Sequence, residues 1–159
     1  MALIYVGVSG SSRAEPAEVA AAERVGELVA SRGGVVVTGG LGGIMEAACC
    51  GAKAAGGLTL GVLPGLRRAD ANRWVDVALP TGMGEMRNAL LVRACDVLIA
   101  IGGEFGTLSE VALALKSGIP VIGLGTWELS KGGREVDAVR GAESPESAVE
   151  LAFRLVSGR

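Results

Sequence analysis

Three glycine-rich segments carry the residues best suited to chemistry in this sequence of 159 residues. They are Gly-Val-Ser-Gly-Ser-Ser at 7–12, Thr-Gly-Gly-Leu-Gly-Gly at 38–43 and Gly-Gly-Glu-Phe-Gly-Thr at 102–107. Each follows an apolar run and precedes a helical pattern, so unpaired helix N–H groups should face the loop. Glycine also lets the backbone approach an anion closely. We predict one phosphate site formed by Gly10, Ser11, Gly39, Gly40, Gly42, Gly43, Gly102, Gly103, Glu104, Phe105, Gly106 and Thr107.

A tight strand-to-helix turn explains any one of these loops equally well. Three such loops at the carboxyl edge of one sheet favour a ligand site instead. A dinucleotide site fits less well, because the first loop is not G-x-G-x-x-G and the second strand does not end in an acid that could hold a ribose.

Glu110 has two competing interpretations. The spacing of Thr107 and Glu110 matches a capping box at the start of a helix. Alternatively, Glu110 lies one turn into the ligand site, where its carboxylate stabilises developing positive charge. The sequence alone leaves both open.

Arg87 is the basic residue best placed to hold a phosphate, because it lies near the start of the helix after residues 80–84 and its guanidinium can form a bidentate contact. Asn88 joins it in the predicted ligand site. Arg67, Arg68 and Arg73 follow the segment Leu63-Pro64-Gly65 and either close over an anion or are solvated loop charges.

The amino-acid composition argues against several classes of function. Half of the residues are apolar, the net charge is −2 and histidine is absent. The absence of histidine excludes a Ser-His-Asp triad and removes the commonest zinc ligand, and we predict no metal site. Dispersed basic residues and few aromatic residues argue against nucleic-acid binding. Without an apolar run of membrane length or a signal peptide, we expect a soluble cytoplasmic protein.

Short β-branched runs alternate with helical periodicity, which predicts one Rossmann-like α/β domain over residues 1–159. We expect a doubly wound, mainly parallel sheet of six or seven strands with helices on both faces. Ser144 and Pro145 should begin the last helix. The predicted strands are 3–8, 35–38, 58–63, 74–79, 97–101, 120–124 and a short edge strand at 135–140.

The segment 102–110, Gly-Gly-Glu-Phe-Gly-Thr-Leu-Ser-Glu, resembles the P-G-G-x-G-T-x-x-E signature of the LOG-like (SLOG, formerly "lysine decarboxylase-like") superfamily. Segments 38–47, 61–65 and 81–88 are most similar to its branch of molybdenum cofactor carrier proteins. No pyridoxal-binding lysine motif supports a decarboxylase.

The resemblance implies two functions of different class. A carrier binds the phosphate-bearing pterin as cargo and requires no cofactor of its own. A phosphoribohydrolase splits a nucleoside 5′-monophosphate into free base and ribose 5-phosphate, with Arg87 and Glu110 at the matching catalytic positions. Three departures favour the carrier: Gly102 replaces proline, Glu104 replaces glycine, and Asn88 stands where the hydrolases usually carry lysine.

The resemblance and the apolar character of the helices around 44–55 and 90–94 also predict a homodimer or homotetramer. The expected partners are therefore further copies of the chain and a phosphorylated small molecule, a nucleotide or a pterin.

Overall fold

A computed structural model describes residues 2–159. A seven-stranded sheet, parallel at every pairing, forms its centre. The strands are β1 Tyr5–Gly10, β2 Val35–Thr38, β3 Leu58–Leu63, β4 Val77–Pro80, β5 Val97–Ile101, β6 Val121–Leu124 and β9 Val139–Gly141, and a separate antiparallel pair is β7 Leu129–Lys131 and β8 Arg134–Val136. The helices are α1 Pro16–Ser31, α2 Ile44–Ala54, α3 Asn88–Arg93, α4 Phe105–Lys116 and α5 Pro145–Ser157.

The strand order is β4-β3-β2-β1-β5-β6-β9. Strands β1 to β4 therefore lie successively on one side of the sheet, and β5, β6 and β9 lie successively on the other. The switch point therefore lies between β1 and β5, where open α/β sheets place their ligands. The predicted Rossmann-like architecture is confirmed.

Two apolar cores cover the sheet, one on each face. Alternate side chains of the strands explain this division: Val97, Ile99 and Ile101 enter the core shared with α1, α2 and α5. Leu98 and Ala100 enter the other core, which includes Leu91 of α3 and Val111 of α4. Strands buried on both faces require the continuous apolar runs that the sequence shows.

Three of the predicted strands differ from the observed ones by two residues or more. β1 covers residues 5–10 instead of 3–8, and β4 covers 77–80 instead of 74–79. The side chain of Asn72 accepts the Trp74 N–H, which holds that residue in a turn before β4 begins. The single edge strand predicted at 135–140 was wrong, because a turn closed by the Ala138 N–H and the Val136 carbonyl separates β8 from β9.

Both predicted features of the last helix are confirmed. Ser144 is the N-cap of α5, its Oγ accepts the Ser147 N–H at 3.1 Å, and Pro145 is the first helical residue. None of the helices formed by residues 2–159 is long and apolar enough to cross a membrane.

The helices around 44–55 and 90–94, whose apolar character predicts an oligomer, expose only part of their apolar surface to solvent. The apolar face of α2 is buried against α1 within the chain, where Gly26 allows close contact with the Ala48 backbone. An apolar patch remains exposed beside β4 and α3. It consists of Leu66, Met83, Met86 and Leu90.

We expect the protein to form at least a dimer at micromolar concentration, with the apolar patch in the interface, because exposed patches of this kind mark association sites. Met86 is 74% exposed, so Met86→Glu should leave the protomer folded and lower the mass measured by light scattering to that of a monomer. Val136→Glu, which changes an exposed residue of β8, is the matched control. A monomeric wild type would contradict the prediction.

Candidate functional site

A cleft of about 490 Å³ opens at the carboxyl ends of β1 and β5. Its volume falls within the range of ordinary small-molecule sites, about 300–1,000 Å³. Loops after β1, β2, β3 and β5 and the first turns of α2, α3 and α4 enclose it, so one cleft brings together residues far apart in sequence. The predicted site residues that line it are Gly10, Ser11, Arg87, Asn88, Glu104, Phe105, Gly106, Thr107 and Glu110.

The four glycines predicted between residues 39 and 43 do not line this cleft, although Leu41 of the same loop does. A Cβ on Gly39 would lie 2.7 Å from Nη2 of Arg87, so a larger residue there would displace the guanidinium from its observed position. Ile44, which follows Gly43, donates its N–H to the Ser11 carbonyl at 3.1 Å. The loop thus positions Arg87 and Ser11.

Gly102 and Gly103 form the turn from β5 into α4, with φ of +51° and +97°. They line a neighbouring cleft of about 600 Å³, which shares Ser11 and Glu104 with the first. The positive φ values favour glycine at both positions.

Helix α4 begins at Phe105, with Glu104 as its N-cap. The N–H groups of Phe105, Gly106 and Thr107 therefore have no partner within the helix. These three residues line the 490 Å³ cleft. The first turn of α4 thus provides the backbone donors that the sequence predicts for an anion.

The capping-box interpretation of Thr107 and Glu110 was wrong. Thr107 is the third residue of the helix rather than its N-cap, and Glu110 lies in the second turn. Glu110 is buried, and its carboxylate accepts a hydrogen bond from Ser9 Oγ. Burial raises the pKa of Glu110, although the Ser9 hydrogen bond and the positive charge of Arg87 oppose this increase.

Arg87 is also buried, at 8% exposure, and polar groups of the chain hold it. Its Nε donates to the Val62 carbonyl at 2.8 Å, and Nη1 donates to Asn88 Oδ1. Asn88 in turn donates from Nδ2 to Ser109 Oγ at 3.0 Å. Burial lowers the pKa of Arg87, an effect that Glu110 and Glu85 oppose.

Within residues 2–159, Arg87 and Glu110 form no direct ion pair with each other or with another residue. The Nη2 group of Arg87 donates none of the hydrogen bonds in this part of the chain. A guanidinium with an uncommitted donor group in a cleft is suited to a ligand oxyanion.

Sequence reasoning missed Ser9 and Ser109. Ser9 is polar yet 2% exposed in an otherwise apolar strand, which is the signal that could have identified it. Arg67 and Arg73 do not line the cleft: Arg67 pairs with Asp70, and Arg73 stacks on Trp74. Exposed Arg68 is likewise absent from its lining.

The charged lining of the cleft is mainly acidic, with Glu85, Glu104 and Glu110 against Arg87. The groups complementary to an anion are therefore confined to the first turn of α4 and to Arg87. The carboxylates are suited to accept hydrogen bonds from N–H or O–H groups elsewhere on a ligand.

The fold and the cleft together are those of a Rossmann-like α/β ligand-binding module, with the cleft at the switch point of the sheet. The chain belongs to the SLOG cluster4 family, whose model matches residues 3–149. An uncharacterised protein of Archaeoglobus fulgidus is 42% identical over 150 residues, 94% of each chain.

Two solved structures are similar over nearly their whole length. The molybdenum cofactor binding protein of Rippkaea orientalis is 38% identical with a TM-score of 0.88, covering 98% of this chain and 99% of that one. The molybdenum cofactor carrier protein of Chlamydomonas reinhardtii is 31% identical with a TM-score of 0.83 and the same coverage. These similarities support a ligand-binding module.

Replacing Glu110 with Gln should raise the free energy of unfolding at neutral pH. Because the folded pKa lies above the unfolded one, wild-type stability falls as the pH rises from the unfolded pKa through the folded pKa. Gln does not ionise, so the variant avoids this loss while retaining an acceptor for Ser9.

The measurement is urea unfolding of both proteins at about pH 4, below the ordinary pKa of a glutamate, and at about pH 7. The stability gain should be larger at the higher pH. Glu85→Gln, which changes an exposed acid of the same cleft, should show little gain at either pH. If the Glu110→Gln variant is less stable than the wild type at both pH values, the prediction is wrong.

Proposed function

We propose that this protein binds a phosphorylated small molecule without converting it, as a carrier of the molybdenum cofactor type. One observation carries the proposal: the unpaired N–H groups at the start of α4 and the buried guanidinium of Arg87 line the same cleft. A helix N-terminus and an arginine are complementary to phosphate in charge and in hydrogen-bond geometry.

The relatives support the identity of the cargo. A structure named as binding the molybdenum cofactor and another named as its carrier align with 98% of this chain. The cofactor is a pterin that bears a phosphate, and its ring presents N–H groups suited to the acidic lining of the cleft. In this proposal the cofactor is cargo, and the chain requires none for its own chemistry.

Isothermal titration calorimetry with inorganic phosphate, nucleoside monophosphates and molybdopterin tests the proposal. The wild type should bind phosphorylated compounds, with molybdopterin strongest. Arg87→Gln should weaken binding about 10- to 100-fold, since a hydrogen bond to a charged group contributes about 1.5–3 kcal/mol. Arg93→Gln, which removes an exposed arginine of α3, should leave affinity unchanged. No binding of any phosphorylated compound by the wild type would contradict the proposal.

A second candidate is a nucleoside 5′-monophosphate phosphoribohydrolase, favoured by the presence of Glu110 and Arg87 in one cleft. Breaking the glycosidic bond generates oxocarbenium character, which a nearby carboxylate stabilises while it assists the attacking water. In this role Arg87 holds the phosphate.

If the protein is a hydrolase, Glu110→Gln should abolish release of free base and change phosphate affinity little, since Gln preserves shape but removes the charge. Chromatography of base released from a panel of nucleoside monophosphates provides the measurement, and Glu150→Gln, which changes an exposed acid of α5 outside the cleft, is the control. Wild-type protein that binds a nucleotide but releases no base over hours excludes this candidate and leaves the carrier.

A further inference from the structure

Phe105 is unusually exposed for an aromatic residue beside a ligand cleft. It is the first residue of α4, lines the 490 Å³ cleft and is 75% exposed. The sequence holds only two Phe, two Trp and one Tyr. Two of these rings meet at this position, because Phe105 packs on Trp127 with ring centroids 5.5 Å apart and planes inclined by 35°.

Trp127 fixes the turn that carries Phe105. Its indole Nε1–H donates to the Glu104 carbonyl at 3.2 Å. The preceding residue, Thr126, donates from Oγ1 to the Gly102 carbonyl at 2.6 Å. Both ends of the β5–α4 turn are therefore tied to the segment after β6, and the Phe105 ring is supported on one side while most of its surface faces solvent.

The clefts on the two sides of this aromatic pair adjoin. Phe105 lines the 490 Å³ cleft, whereas Trp127 lines the 600 Å³ cleft. Ser11 and Glu104 belong to both. A ligand anchored by its phosphate at the start of α4 has the aromatic pair beside it and room to extend past it.

The geometry points to Phe105, supported by Trp127, as a stacking surface for the planar heteroaromatic ring of the ligand, a purine or a pterin. This inference rests on the proposed phosphate-binding function and adds how the remainder of the ligand is recognised. Stacking requires only the π face of a ring, so it complements hydrogen bonds from the acidic lining. Phe105 is here a specificity residue, and phosphate affinity does not depend on its side chain.

The test compares GMP with ribose 5-phosphate, which carries the phosphate and sugar without the ring. Calorimetry should show that the wild type binds GMP more tightly than it binds ribose 5-phosphate. Phe105→Leu keeps apolar bulk but removes the π face, so its Kd for GMP should rise about tenfold while its Kd for ribose 5-phosphate stays the same.

Phe153→Leu, the same substitution at the other phenylalanine, is the matched control and should leave both Kd values unchanged. Phe153 lies on α5, packed against the core, and does not line either cleft. Light scattering on Phe105→Leu should give the wild-type mass; a smaller mass would mean that Phe105 is a subunit contact and would overturn the inference.

Fluorescence gives an independent readout in a Trp74→Phe background, where Trp127 is the only remaining tryptophan. GMP should quench this emission more strongly than ribose 5-phosphate does. If ribose 5-phosphate binds and Phe105→Leu leaves GMP affinity at the wild-type value, the stacking inference is wrong but the phosphate site stands. If no phosphorylated compound binds the wild type, both fail.

Discussion

Two buried groups of opposite charge, Arg87 and Glu110, set the main physical constraint on this protein. Removing a charge from water is costly unless polar groups replace its hydration, and no direct ion pair within residues 2–159 does so. Neutral polar groups replace the hydration instead. The Val62 carbonyl and Asn88 accept hydrogen bonds from the guanidinium, and Ser9 donates one to the carboxylate. These groups come from β1, β3 and α3, so the site charges are held only when three separate elements lie at the same edge of the sheet.

Much of the fold could be predicted because its strands are covered on both faces and therefore read as continuous β-branched runs. Errors arose where a local pattern fits two structures equally well. Thr107 and Glu110 have capping-box spacing, but Gly102 and Gly103 turn the chain so that Glu104 becomes the N-cap, and Glu110 then lies within the helix. Ser9 escaped prediction because its partner is 101 residues away, and no local pattern encodes such a contact.

The cleft combines a small positive region with a largely acidic surround. Under the proposed function, this arrangement would discriminate among phosphorylated compounds more than it would attract them, because an anion that does not also offer hydrogen-bond donors meets uncompensated carboxylates. A nucleobase or a pterin offers such donors and an aromatic face. The chemistry of the lining is therefore consistent with the class of ligand in the proposed function.

The contact between Ser9 and Glu110 also bears on how the chain folds. The two residues are separated by 101 positions in the sequence, so their contact is one of the long loop closures that slow folding. The contact also requires the pairing of β1 with β5 at the centre of the sheet. A nascent or truncated chain that ends before α4 lacks Glu110 and the backbone donors of the first turn of α4. Under the proposed function, a ligand that binds only the completed sheet would stabilise the whole native state rather than an intermediate, and occupancy of the cleft would lengthen the protein's lifetime against proteolysis.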